Sequence, residues 1–168
     1  MLVLVDKPVT ARAQEAYELG DLAKAKGVVL YPFQNRRWDS DFLTLRKLLD
    51  LPPSDPKSLG TLVEFESRYV IYAPSYVGGM PGAEARMYRF DRFRTSLKGT
   101  WKDLPVPANG LTYDLGAHTI DQSLVLFGRP KAITAMIENI RGIGHKEVDD
   151  CVSHHVPSRL FRHAAILC

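Results

Sequence analysis

Only two cysteines, Cys151 and Cys168, occur in the 168 residues. They form neither a disulfide framework nor a metal-ligand spacing, which fits a reducing cytoplasm. No block of Lys and Arg occurs, and the net charge is only +3, so nucleic acid is not an expected partner. No apolar run approaches the roughly 20 residues that span a bilayer. The opening MLVLVDKP has four apolar residues between Met1 and Asp6, too few for a signal-peptide core. Membrane association is therefore not expected. Internal repeats and low-complexity tracts are also lacking. What remains is ordinary for a globular protein, 45% hydrophobic and 24% charged, and enough to bury a core.

The early chain alternates strand and helix. Leu2 to Val5 is an all-apolar run, read as a strand buried on both faces. Thr10 is the expected N-cap of a helix to about Lys26, with Ala13, Ala16, Tyr17, Gly20 and Ala23 inward and Gly27 as its stop. Val28 to Phe33 is a second buried-type strand. Strand, helix and strand in about 30 residues make a parallel βαβ unit. Two strands alone do not make a stable parallel sheet, so the chain reads as beginning part-way through a larger sheet. Lys7 and Arg36 follow the two strands, where open α/β sheets bind ligands.

Ser40 is the expected cap of a second helix with Phe42, Leu45, Leu48 and Leu49 inward, stopped at Pro52 and Pro53. Leu62 to Tyr69 alternates as a half-exposed strand of the antiparallel kind. Residues 70–90 hold no period and are punctuated by Pro74, Gly78, Gly79, Pro81 and Gly82. Strands are expected over 132–140, 148–156 and 160–167.

Gly110 to Gly128 carries the clearest chemistry. Tyr113, Ala117, Ile120, Leu124 and Phe127 recur at helical spacing and predict a core-facing stripe. Asp114, His118 and Asp121 recur one residue further round. A carboxylate and an imidazole one turn apart, at the edge of a core, can share a proton or grip a hydroxyl. On residue types alone the favoured reading is a solvated face with an incidental histidine, and Lys7 a strand-end surface charge. Alternation sends His154 and His155 to opposite sheet faces, against a shared metal site. Trp101 reads as a packing anchor, and Asp121 as a polar flank or a hydrogen-bond partner of a neighbouring loop rather than a catalytic group.

Asp6-Lys7-Pro8, Gln34-Asn35-Arg36-Arg37 and Asp114-Leu115-Gly116-Ala117-His118, in that order and spacing, resemble the Gfo/Idh/MocA family of NAD(P)-dependent oxidoreductases. The resemblance implies an α/β chain: the end of a Rossmann-type parallel sheet, then a mostly antiparallel open-faced sheet with flanking helices. Residues 1–36 would be the end of the NAD(P)-binding domain and 37–168 most of a substrate and oligomerisation domain. It implies hydride transfer between NAD or NADP and a hydroxyl of a sugar, cyclitol or related polyol. Carried over by motif, Lys7, Asp114 and His118 are catalytic, with His118 the acid/base. Lys7, Pro8, Asn35 and Arg36 contact the cofactor. No metal is implied, and a homodimer through the open sheet face is.

Three departures accompany the match. No G-x-G-x-x-G occurs, so no helix N-terminus is aimed at a pyrophosphate, and cofactor binding by this chain is expected to be weak or absent. Residues 70–90 read as an insertion, of the kind a retained intron leaves, into one strand running from Glu64 to Arg94. The family's sheet continues beyond Cys168, so the chain resembles an internal fragment with impaired activity. A second reading also stands: the family fold includes non-catalytic, sugar-responsive regulators.

Overall fold

A computed structural model describes residues 1–62, 64–68, 99–139, 144–155 and 163–167. Its first unit is β1 (Leu2–Asp6), helix α1 (Ala13–Ala25) and β2 (Val29–Phe33), with the two strands parallel and Leu2 opposite Val29. A 3-10 turn (Asn35–Trp38) leads into α2 (Ser40–Leu49). The second unit is a four-stranded sheet ordered β3-β6-β5-β4, from β3 (Glu64–Arg68), β4 (Thr134–Glu138), β5 (Cys151–His155) and β6 (His163–Leu167). Between β3 and β4 lie a second 3-10 turn (Trp101–Asp103) and a π-helical turn (Thr112–Gly116). The π turn runs straight into α3 (Ala117–Phe127). The expected α/β class, with a parallel pair before a mainly antiparallel sheet, is what the chain adopts. The insertion expected at 70–90 lies outside the described residues.

Several local expectations are corrected. Leu2, Val3 and Leu4 are 62%, 37% and 58% exposed, so β1 is not covered on both faces. A two-stranded sheet with one helix against it has too little chain to cover them. In β2, Pro32 sits opposite Val5; proline lacks the donor a central strand needs and belongs on an edge. The cap of α1 is Arg12, not Thr10. The Glu15 carboxylate accepts from the Ala11 and Arg12 amides, while the Thr10 hydroxyl donates to the Arg12 carbonyl. Of the face expected inward on α1, only Ala23 is partly covered. Asp39, not Ser40, precedes α2, and Phe42 is its buried residue. β3 pairs with β6 in parallel; the alternation that suggested an antiparallel strand reports one solvated face, not strand direction.

The largest correction concerns the 110–128 helix. Its most covered residues are Leu115, His118, Thr119 and Ser123, whereas Leu124 is 41% exposed. The buried face is displaced from the apolar stripe because short hydroxyl residues satisfy themselves. Thr119 Oγ1 donates to the Gly116 carbonyl at 3.1 Å and Ser123 Oγ to the Thr119 carbonyl at 2.8 Å. The π turn contacts β5 and α3 contacts β6. Phe127 meets Phe65 of β3 edge to face at 4.9 Å. Val152 and His154 of β5 are buried. The helix thus lies on the sheet with its first turn free to reach the βαβ unit.

Candidate active site

The helix start is set from far down the chain. The Asp149 carboxylate accepts from the Thr112 amide (2.7 Å) and hydroxyl (2.9 Å), and the Leu111 amide donates to the Asp149 carbonyl. A carboxylate at a helix N-terminus satisfies donors that have no partner inside the helix and complements its dipole. Gly110, at φ +99°, makes room for it. A widened π turn at this point, of a kind frequent at functional sites, places Asp114 within the first turn.

Across the units, Lys7 Nζ donates to both the Asp114 carbonyl and the Asp114 carboxylate, the latter at 3.1 Å. Lys7 directly follows β1, its peptide to Pro8 is cis, and its side chain is 14% exposed. Tyr113 supports the same junction, its hydroxyl donating to the Ala11 carbonyl at 2.9 Å. A second ammonium, Lys102, lies 3.7 Å from the other Asp114 oxygen. Its turn is pinned from both sides. Asn109 donates to the Trp101 and Leu104 carbonyls, and the buried Asp103 carboxylate accepts from the His145 amide at 2.9 Å.

His118 sits one turn beyond Asp114 and is buried. Its imidazole is pushed down from 6.5 to about 4, first by burial, then by the charges of Lys7 and Arg36; Asp114 and Asp121 pull the other way. The ring is therefore neutral at pH 7. Arg36 pairs with Asp39 at 3.1 Å. Pro8 is partly covered, and Asn35 is exposed at the head of its turn. The structure thus gathers Lys7, Asp114, His118 and Arg36 at one junction. Trp101 is 67% exposed and is no packing anchor.

The family model of the GFO/IDH/MocA C-terminal domain matches residues 42–156. The chain belongs to the Gfo/Idh/MocA oxidoreductase family. It is 42% identical over 158 residues to the uncharacterized oxidoreductase C26H5.09c of Schizosaccharomyces pombe, a match covering 92% of this chain and 36% of that one. It is 38% identical over 135 residues to scyllo-inositol 2-dehydrogenase (NADP(+)) IolW of Bacillus subtilis, covering 80% of this chain and 30% of that one. The fold superposes on an NAD-binding protein from Listeria innocua with a TM-score of 0.71 and 26% identity, over 98% of this chain and 40% of that one. The chain spans about a third of the length of the curated relatives it matches.

Two groups in this Gfo/Idh/MocA chain escape a reading by motif. Lys102 carries no spacing signal, because its partner Asp114 is fixed by the fold of a loop. Asp121 is visible as the third member of the polar stripe, but its partner Arg37 is 84 residues away.

The depressed His118 pKa has a consequence for stability. Between pH 6.5 and about 4 the unfolded chain binds a proton at this ring that the folded chain refuses. The contribution is intact above pH 6.5 and is lost as pH falls toward 4. His154, lowered mainly by burial, acts in the same direction. Melting curves of the chain and of His118→Gln from pH 7 to 4 test this. The wild-type midpoint should fall more steeply; parallel curves would contradict it.

Proposed function

We propose that this site performs hydride transfer between a nicotinamide and a hydroxyl of a sugar, cyclitol or related polyol. The observation that carries the reading is the bond from Lys7 to Asp114 across 107 residues of chain, one turn from the buried His118. The neutral His118 imidazole takes the hydroxyl proton as the C–H hydride departs, and returns it in the reverse direction. The Lys7 ammonium holds the oxygen on which negative charge develops. Asp114 fixes Lys7 through two oxygens. The bound nicotinamide supplies hydride acceptance.

Residues at the carboxyl ends of β1 and β2 suit the nicotinamide end of such a cofactor. Lys7, Pro8, Asn35 and Arg36 would contact it, and the buried Gln34 Oε1, without a hydrogen-bond partner among the described residues, is an acceptor for an amide donor. Nothing in the sequence supplies the Gly-rich turn for the phosphates. We therefore expect calorimetry of the 168-residue chain to show no NAD+ or NADP+ binding tighter than about 1 mM, a free energy of roughly −4 kcal/mol. Pairing of two copies through the open sheet face belongs to the same proposal and is supported by exposed Met136 of the edge strand β4, on the face opposite buried Val152 and His154. Sedimentation equilibrium returning only monomer would remove that part.

The deciding experiment is a chimaera in which this chain replaces the matching region of the Bacillus subtilis inositol dehydrogenase. NADP+ reduction with inositols or related polyols is the expected result. A folded chimaera that binds NADP+ yet turns over no polyol would overturn the reading and favour a regulatory role.

A further inference from the structure

The helix that carries His118 touches the βαβ unit at two places. Near its start, Tyr113 and Asp114 reach the loop after β1. One turn beyond His118, Asp121 and Gln122 reach the turn after β2. Arg37 Nε and Nη2 donate to the two Asp121 oxygens at 2.7 and 2.6 Å, and Gln122 Nε2 donates to the Arg36 carbonyl at 3.0 Å. We propose that Arg37 and Asp121 are positioning residues whose paired hydrogen bonds fix the roll of α3 and so seat His118 beside Lys7.

An ordinary exposed ion pair would not do this, since two flexible side chains in water gain little. Three features set this pair apart. The guanidinium grips both carboxylate oxygens, which fixes orientation as well as distance. The Asp121 side chain is only 15% exposed. The neighbouring Gln122 bond is made to backbone, so the turn itself is held. The contact near Asp114 ties the helix to the βαβ unit at one end; the second, two turns along, ties it at the other and fixes how the helix face carrying His118 meets that unit. Asp121 acts through His118 and is not assigned a contact with substrate.

The arrangement has a spectroscopic signature that a purely structural pair would lack. The charges around His118 are Lys7, Arg36, Asp114 and Asp121, and Asp121 favours the imidazolium. In Asp121→Asn that support is gone. In Arg37→Gln it is left without its counter-ion. The 168-residue chain, labelled at histidine nitrogen, is titrated by NMR. Asp121→Asn should move the His118 midpoint to lower pH and Arg37→Gln to higher pH. Arg37→Lys, which keeps charge but loses the fork, should broaden the His118 signals with little change in midpoint. The exchange Arg37→Asp with Asp121→Arg should restore sharp signals while leaving the midpoint below wild type, because it sets a cation where the Asp121 carboxylate favoured the imidazolium.

Circular dichroism melts of each variant guard against unfolding, and the gentler Arg37→Lys keeps the test alive if another variant fails to fold. Unmoved midpoints and unbroadened signals in folded variants would overturn the assignment. The proposal concerns where His118 is held, so it stands or falls separately from the polyol reading, which the chimaera tests.

Discussion

His118→Ala is expected to lower kcat of the polyol-oxidising chimaera by about 10²- to 10⁴-fold, the range for loss of a positioned acid/base. KM should change little, because the imidazole is needed when the proton moves rather than when the hydroxyl binds. The pH profile supplies the sign. Oxidation needs the neutral ring, and the ring holds a proton only below about pH 4. Wild-type kcat should therefore stay level from pH 8 to about 6 and decline toward 4. His118→Ala should remove that dependence along with the rate. Steady-state kinetics across this range read both features. A variant that keeps more than about a tenth of wild-type kcat would remove His118 from the chemistry.

Gly110→Ala is expected to destabilise the chain by about 3 kcal/mol. That combines the cost of a left-handed backbone with loss of at least one charge-assisted hydrogen bond. The backbone is at φ +99°, and a Cβ there would overlap Asp149 Oδ1 and lie 2.7 Å from Asp149 Cγ. Asp149 can swing away only by releasing the Thr112 amide and hydroxyl. For a chain of this size the melting midpoint should drop by roughly 6–12 °C. Differential scanning calorimetry checks it. Asp149→Asn is the companion variant: it keeps the space and weakens the cap, so its smaller drop separates strain from capping. Equal midpoints for Gly110→Ala and wild type would mean that the helix start does not depend on this joint.

The members of the Lys7–Asp114–His118 junction were legible because each carries a local signal. Lys7 sits in a dipeptide after an apolar strand, and Asp114 and His118 are one turn apart. What local pattern cannot show is which face of a helix turns inward. Hydropathy assigns Leu124 to the core, yet Thr119 and Ser123 go there, since a hydroxyl bonded to its own helix no longer needs water. Strand direction was lost for the same kind of reason. β3 alternates as a one-sided strand must, and its parallel partner β6 lies almost 100 residues later. Caps failed by one or two residues at Thr10 and Ser40, where several short polar residues compete. Arg37 and Asp121 were each plain to see and neither named the other. Trp101 was judged by size, although the turn that holds it is pinned by Asn109 and Asp103 and needs nothing from the indole.

The bond from Asp149 to Thr112 orders events during synthesis. Translation runs at roughly 5–20 residues per second. Lys7 leaves the ribosome 107 residues before Asp114, an interval of roughly 5–20 s. The helix that must meet it still lacks its cap until Asp149 emerges, 37 residues after Thr112. The cap of the helix at the junction is thus among the last parts of the described chain to be supplied, and a nascent chain stalled before residue 149 would hold that helix uncapped.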